Sequence, residues 1–210
     1  VFAAEDTRTI FGTYGRLLDQ AAWNSPREED IVQAKVVCLD PFFAEPAAQA
    51  AETAFNAQVP VVVVDCRHDD PLLKHTSAVV IAESYLRENY AHRDPALVFA
   101  EYQASTNGLV LFTFGGRPVW YASSNQPVRH FQPYAIDPVD TTGGGDSFRA
   151  GIVFGFLKGW DEDRMVEFAS AVAAINCTRF PGVLNAPTER EVADFISAAK
   201  GDASAPLHEP

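Results

Sequence analysis

The stretch "DPVDTTGGGDSFRAG" (residues 137–151) carries the strongest structural signal in this chain, because three successive glycines stand between an extended segment and an apolar helix. Glycine is costly to order, so three in a row indicate a backbone that approaches something closely. After them Phe148, Ile152 and Phe156 recur at four-residue spacing, which predicts a helix from Gly145 to residue 158. The glycines then lie at a helix N-terminus, where unpaired N–H groups and the helix dipole favour a bound anion.

Asp146 falls in the first turn of this helix and has two interpretations. The helix dipole favours a carboxylate at this point, so Asp146 can serve only to cap the helix. Beside an anion site, the same carboxylate is also placed to act as a base next to a phosphate. Arg149, three residues later, shares a helix face with Asp146 and either contacts a phosphate or lies exposed at the surface.

Along the chain, short apolar runs alternate with longer amphipathic ones. Valine-rich runs with little polar interruption predict parallel strands buried on both faces of a sheet. The alternation predicts an α/β fold with three layers (αβα) and a mostly parallel central sheet. The predicted strands are 35–40, 60–65, 77–81 and 108–114, with edge or hairpin strands at 117–123 and 128–136; the predicted helices are 45–58, 83–90, 95–103, 145–158, 162–177 and 188–199.

The two ends of the chain differ from this core. The segment "DTRTIFGTY" (6–14) alternates as an isolated strand, and "LLDQAAWNSPREEDI" (17–31) predicts a connector in which "REED" is a solvated helix end. We therefore assign residues 1–30 to a small β lid on the substrate side with its connector, 31–200 to the α/β core and 201–210 to a tail. Because the chain begins at Val1 and its only methionine is Met165, we expect an N-terminal portion to precede it.

Composition limits the partners. The chain is 47% hydrophobic and 21% charged, which is typical of a soluble globular protein, and its 16 basic against 28 acidic residues include no basic cluster. This balance argues against binding to nucleic acid or to an anionic membrane. No apolar run approaches a spanning length of ~20 residues and nothing resembles a signal peptide, so the expected location is the cytoplasm. Cys38, Cys66 and Cys177 lack a Cys-x-x-Cys pair and are predicted to be buried, reduced thiols.

A resemblance to a known family rests first on "DTTGGGDSFRAG" (140–151). This segment closely resembles the C-terminal signature of the ribokinase-like, or PfkB, carbohydrate kinases, D-T-T-G-A-G-D-x-F-x-A-G, with Gly144 in place of the usual alanine. The Walker pattern and the dinucleotide fingerprint do not match. "VLFTFGG" (110–116) resembles the T-x-G strand end of the family, "DTRTIF" (6–11) its G-E-R-T stretch, and residues 168–196 its C-terminal helices.

The resemblance implies a ribokinase-like fold and an ATP-dependent kinase that uses Mg²⁺ and phosphorylates a hydroxyl of a sugar or sugar-like small molecule. Asp146 matches the catalytic base of the family, and Gly143, Gly144 and Gly145 match the anion hole for the transferred phosphoryl group. Two alternatives stay open: a nucleoside kinase of the same fold, and a non-catalytic relative (a pseudokinase) that binds a nucleotide or metabolite.

Further site residues follow from the same resemblance. Thr113 and Gly115 match a contact with the nucleotide phosphates, while Ser170 and Ala174 match the lining of the adenine pocket. Ser170 has a second interpretation as a small residue in helix packing. In some relatives the positions that match Asp140, Thr142, Asn176, Arg179 and Gly182 form a site for a monovalent cation such as K⁺.

Two features concern magnesium and assembly. The N-x-x-E motif of the family is altered within "VVIAESYL" (79–86), where Ala82 takes the place of the asparagine and Tyr85 that of the glutamate. Either Glu83 and Ser84 substitute for them, or magnesium is held through water.

Ile10, Phe11 and Tyr14 of the lid segment form an apolar strand that is expected to pair between subunits as a homodimer.

Overall fold

The computed structural model describes residues 2–4, 7–9 and 26–201. Strands β1 (Phe2–Ala4) and β2 (Thr7–Thr9) pair antiparallel and form a sheet of their own, as expected of the small β lid. The side chains of Ile10, Phe11 and Tyr14 lie outside the described residues, so the homodimer stays a prediction. The predicted tail also lies outside them, apart from Gly201.

The core is one six-stranded sheet with helices on both faces, and the predicted αβα fold is confirmed. Across the sheet the strands are β3 (Val37–Leu39), β4 (Val61–Val64), β5 (Ala78–Ala82), β6 (Leu109–Phe114), β7 (Arg117–Ala122) and β8 (Arg129–Phe131). The helices are α1 (Glu28–Gln33), α2 (Ala44–Asn56), α3 (Glu83–Asn89), α4 (Pro95–Ser105), α5 (Gly144–Lys158), α6 (Glu162–Cys177) and α7 (Glu189–Ala199). β3 to β6 run parallel, whereas β7 and β8 are antiparallel.

Alternation along the buried strands divides the core between the two faces. Val61, Val63 and their neighbours in register pack on α2, α3 and α4, whereas Val62 packs on the other face against α5 and α6. Every residue from Val61 to Val63 is therefore buried, as expected of strands covered on both sides. Helix α7 packs on α6 through Val192.

Part of the segment predicted to be a connector belongs to helix α1. Glu28, Glu29 and Asp30 occupy its first turn, where the dipole favours acids, so the interpretation of "REED" as a helix end is confirmed. Ile31 is the buried residue of this helix. Its two apolar residues, Ile31 and Val32, are adjacent and set no periodicity, which is why the sequence predicted the helix end but not the bounds of the helix.

The prediction of buried thiols holds for Cys66 alone. Cys38 is exposed and Cys177 is half-buried, and all three cysteines are free. Cys38 is exposed because β3 is the outermost strand of the six-stranded sheet.

Helices α5 and α6 pack closely because two glycines of α5 face α6. A Cβ atom placed on Gly151 would lie 2.4 Å from the Cα atom of Ala169, and one on Gly155 would lie 2.2 Å from the Cγ atom of Met165. The Ala169 atom belongs to the backbone and cannot turn away, whereas the Met165 side chain can. Gly151 therefore fixes the separation between the two helices.

We expect Gly151→Ala to destabilise the fold by about 1–3 kcal/mol, because the methyl group overpacks a rigid contact. For a chain of this size, the melting temperature falls by roughly 3–10 °C. Gly145→Ala, in the same helix, is the matched control, since its Cβ would have no atom within 4 Å. Thermal unfolding by circular dichroism checks both variants, and equal melting temperatures would contradict the assigned packing role.

Candidate active site

The glycine loop enters α5 through a left-handed residue. Gly143 is the N-cap, with φ 75°, a conformation that residues with a Cβ atom rarely adopt. The N–H of Gly144 donates to the carbonyl of Thr141 at 3.1 Å, and the N–H of Ser147 donates to Gly143 at 2.8 Å. The N–H groups of Gly145 and Asp146 belong to the first turn and have no carbonyl partner within the helix.

The anion hole stays a prediction, but the loop geometry distinguishes the three glycines assigned to it. Of the three glycines assigned to an anion hole, Gly144 already uses its N–H inside the loop. The available donors are the N–H groups of Gly145 and of Asp146 itself, at the positive end of the helix dipole. The sequence motif marks the loop, but it does not show which amide is already bonded.

Asp146 lies at the surface of this loop and makes no capping bond. Its side chain is 75% exposed, and no side-chain hydrogen bond caps α5. Arg149 Nη2 lies 3.1 Å from Asp146 Oδ1, and the Arg149 side chain is only 25% exposed. Asp146 lies in the first turn of α5, where the dipole favours a carboxylate, so both interpretations of this residue stay predictions. Arg149 is half-buried and is not a freely exposed surface residue.

Asp65 is a second acid at the carboxyl edge of the parallel strands, and the sequence reasoning missed it. It follows β4 with φ 43°, in the left-handed region, and its carboxylate accepts the N–H of Ala82 at 2.8 Å. Burial raises the pKa of the Asp65 carboxyl, against the opposing effects of the Ala82 N–H and the Arg149 guanidinium. The available signal was its place directly after a buried parallel strand, where ligands bind in open α/β sheets.

The altered N-x-x-E region is already engaged within the protein. Glu83 Oε1 pairs with Arg117 Nη2 at 2.6 Å, and the Arg117 guanidinium lies 5.1 Å from the ring centre of Phe114. Tyr85 is half-buried, and burial raises its pKa to about 12. Ser84 is exposed. Glu83 is therefore held by a cation of the β6–β7 hairpin.

The residues predicted for a monovalent cation lie together near the end of α6. Asp140 Oδ1 accepts the N–H of Thr142 at 2.9 Å, and bonds from the backbone of Thr142 and Gly182 lower the pKa of the Asp140 carboxyl. Asn176 is fully buried, and neither atom of its amide has a hydrogen-bond partner among the described residues. A Cβ atom on Gly182 would lie 2.7 Å from Asn176 Nδ2. The N–H of Arg179 donates to the Asn176 carbonyl at 3.1 Å.

The predicted nucleotide contacts fall into two groups. Thr113 and Gly115 lie where β6 ends, and Thr113 pairs in register with Ala82. Gly115 has φ 63° and is exposed. Ser170 and Ala174 lie one turn apart on α6 and are buried, and Ser170 Oγ has no hydrogen-bond partner within the described part of the chain.

A cavity of about 450 Å³ opens at the opposite edge of the sheet, among Ser77, Gly108 and Trp160. Ser77 and Gly108 directly precede β5 and β6, so this cavity lies at the amino ends of the strands. It does not include the glycine loop. Asp146 is instead open to solvent at the other edge.

Residues 2–4, 7–9 and 26–201 contain neither a cluster of metal-ligating side chains nor a helix able to span a membrane. Within them, no three His, Cys, Asp or Glu side chains are grouped so that they could hold a metal ion. Within the same residues, every helix is too short or too polar to cross a membrane.

Comparison with known proteins places the chain in a family. Residues 1–189 match the sequence profile described as "pfkB family carbohydrate kinase". The chain belongs to the pfkB family of carbohydrate kinases. The family resemblance read from "DTTGGGDSFRAG" is thereby confirmed.

Individual relatives of this pfkB family member are distant. A protein of Dictyostelium discoideum named "Uncharacterized sugar kinase" is 28% identical over 160 residues, which is 67% of this chain and 44% of the relative. The ribokinase of Bacillus subtilis (strain 168) is 29% identical over 103 residues, or 49% of this chain and 35% of the relative. The structure of Arabidopsis thaliana ribokinase complexed with ribose and ATP superposes with a TM-score of 0.72 at 20% identity, covering 80% of this chain and 58% of that one. The chain thus spans less than two thirds of each, and the structural likeness shows the fold.

The position of Asp65 predicts a pH-dependent gain in stability for Asp65→Asn. Because burial raises the folded pKa above its ordinary value near 3.8, ionisation costs the folded protein stability as pH rises through that value. Asparagine keeps an acceptor for the Ala82 N–H, tolerates the left-handed backbone and does not ionise. We therefore expect the melting temperature of the variant to exceed that of the wild type by more at pH 7 than at pH 3.5.

Asp69→Asn is the matched control with the opposite sign. Its partner Arg67 lowers the pKa of the exposed Asp69 carboxyl, so this ion pair stabilises the fold above the unfolded pKa and is lost in acid. The control should lose a little stability at pH 7 and none at pH 3.5. Differential scanning calorimetry at the two pH values compares them, and the same pH trend in both variants would contradict the assignment for Asp65.

Proposed function

We propose that this protein is an ATP-dependent kinase that transfers the γ-phosphoryl group to a hydroxyl of a sugar or sugar-like small molecule. One observation carries the proposal: an exposed carboxylate, Asp146, stands beside free amide groups at the start of α5. A nucleotide whose phosphate binds those amides would hold the phosphoryl group to be transferred next to Asp146, which serves as the base. The family and the ribokinase fold make a sugar hydroxyl the acceptor that fits.

ATP fits the loop on physical grounds. The first-turn N–H groups of Gly145 and Asp146 are available as donors to a phosphate, and the helix dipole adds positive potential. A Cβ on Gly145 would have no protein atom within 4 Å, so this part of the loop is open to a ligand. Thr113 and Gly115 supply the proposed contacts to the nucleotide phosphates, and Ser170 and Ala174 the proposed adenine contacts.

Asp146 acts by orienting the acceptor hydroxyl and taking up its proton late in the transfer. A carboxylate is a weak base, so the position of Asp146 matters more than its basicity. Arg149 holds the carboxylate through its ion pair and brings a cation near the phosphoryl group. The amide groups stabilise the charge that gathers on the transferring group.

Magnesium, when bound with ATP, neutralises charge on the β- and γ-phosphates. Mg²⁺ keeps several waters and is usually held by one or two carboxylates plus substrate phosphates, so a preformed cage is not required. The carboxylates that the carboxyl edge offers include Asp40, Asp65 and Asp146. Glu83 is paired with Arg117 and does not take the place of the family's motif glutamate in this arrangement.

A monovalent cation, K⁺, is proposed at Asp140, Thr142, Asn176, Arg179 and Gly182. The support is the buried Asn176 amide without a partner and the low pKa of the Asp140 carboxyl, which keeps it negative. A cation there lies behind the glycine loop, since Thr142 directly precedes Gly143. We place the kinase in the cytoplasm, where ATP is available.

Asp146→Asn should lower kcat by about 10²–10⁴-fold, the usual cost of losing a general base. Asparagine keeps the shape of the side chain but takes up no proton. Affinity for ATP should persist or rise slightly, because a negative charge beside the phosphates is removed. Steady-state kinetics over a panel of sugars and nucleosides, with ATP titration by calorimetry, measures both.

Asp161→Asn is the matched control. Asp161 caps α6 by accepting the N–H of Arg164 at 2.9 Å, and asparagine caps a helix about as well. It lies at the far end of α6 from Cys177, about 24 Å away for 16 residues at 1.5 Å each. Wild-type kcat in Asp146→Asn would refute the mechanism, and ATP binding with no turnover of any acceptor by the wild type would favour a non-catalytic relative.

A further inference from the structure

Cys177, the last residue of α6, contacts the glycine loop at two points. Its backbone carbonyl accepts the N–H of Val139 at 2.8 Å and the N–H of Asp140 at 3.1 Å. Its side chain faces the other end of the loop, because a Cβ atom on Gly144 would lie 3.0 Å from Cys177 Sγ. Cys177 therefore bonds to the start of the loop through its carbonyl, and its side chain limits the space around Gly144 at the other end.

The contact at Gly144 leaves too little room for a methyl group. Non-bonded heavy atoms of this size are comfortable at about 3.5 Å or more, so either the thiol or the first turn of α5 must shift by a few tenths of an ångström. Gly144 is also the position at which the chain departs from the alanine of the family signature. The Cys177 thiol therefore lies where the methyl group of the family's alanine would be placed.

We propose that Gly144 and Cys177 are a size-matched pair, in which the thiol takes the space of the missing methyl group and sets the distance between the end of α6 and the first turn of α5. Cys177 is thus a positioning residue for the amides of Gly145 and Asp146. The inference rests on the proposed function only where it concerns ATP. The contact between the two residues does not depend on it.

A double-mutant cycle tests the pair with Gly144→Ala, Cys177→Ala and the combination of both. In the wild-type background, Gly144→Ala should lower the melting temperature by roughly 2–6 °C, as overpacking does in a chain of this size. It should also lower kcat/KM for ATP by about tenfold, since small displacements of catalytic groups carry large rate costs. In the Cys177→Ala background, the loss of melting temperature and the loss of kcat/KM for ATP caused by Gly144→Ala should each fall to less than a third of their values in the wild-type background. In either background, Gly144→Ala should change KM for the sugar less than KM for ATP.

Gly145→Ala supplies the control. Among the described residues, apart from its chain neighbours and the backbone of its own helix, its Cβ would meet no atom within 4 Å. We therefore expect a loss of ATP binding in this variant to come from contact of the new methyl group with ATP, and Cys177→Ala should not rescue it. Equal penalties of Gly144→Ala in both backgrounds would overturn the pair. If the wild type phosphorylates no acceptor, the proposed function fails, whereas the melting temperatures and the calorimetric ATP titration still decide the pair.

Discussion

The close approach of α5 to α6 is the constraint on which the candidate site depends. Gly151 lets the two backbones meet at Ala169, so the axis of α5 is fixed two turns after its first residue. The end of α6 then reaches the loop that starts α5, where the carbonyl of Cys177 accepts two of its N–H groups. A residue that forced the helices apart at Gly151 would therefore move the donors of the first turn as well.

The net negative charge of the chain makes the placement of the first-turn N–H groups of α5 more important for binding a phosphate. The chain has a formal net charge of −12, so its overall field repels a phosphate. Near the glycine loop, Asp40 lies within electrostatic reach of Asp65, and Asp40 and Asp146 both lie within electrostatic reach of Cys38. The attraction has to come from the Arg149 guanidinium and the helix N-terminus, and the dipole acts only over the first turn. A few tenths of an ångström at Gly144 or Gly145 thus matter more here than on a basic surface.

Most of the core and the place of the glycine loop at a helix N-terminus were predictable from the sequence, because both rest on local patterns. Valine runs predicted β4 and β5, four-residue spacing predicted α5, and the glycine motif located Asp146. The structure added contacts between residues distant in sequence, such as Asp65 with Ala82 and Arg117 with Glu83. Periodicity gives the face of an element but not the partner that its polar groups find, and no pattern indicated the left-handed backbone of Asp65.

These contacts explain how the chain accommodates its altered N-x-x-E region. The N–H of Ala82 is bonded to Asp65 and the carboxylate of Glu83 to Arg117, so a ligand at the β5–α3 junction must displace partners that the protein already supplies. At the start of α5 the N–H groups of Gly145 and Asp146 have no carbonyl within the helix, and a ligand replaces only water. Since an exchange of equivalent hydrogen bonds gains little free energy, the proposed function requires that the affinity for phosphate be concentrated on α5. In the proposed kinase, loss of the motif's asparagine and glutamate side chains would therefore affect how the metal is held more than how the transferring phosphoryl group is held.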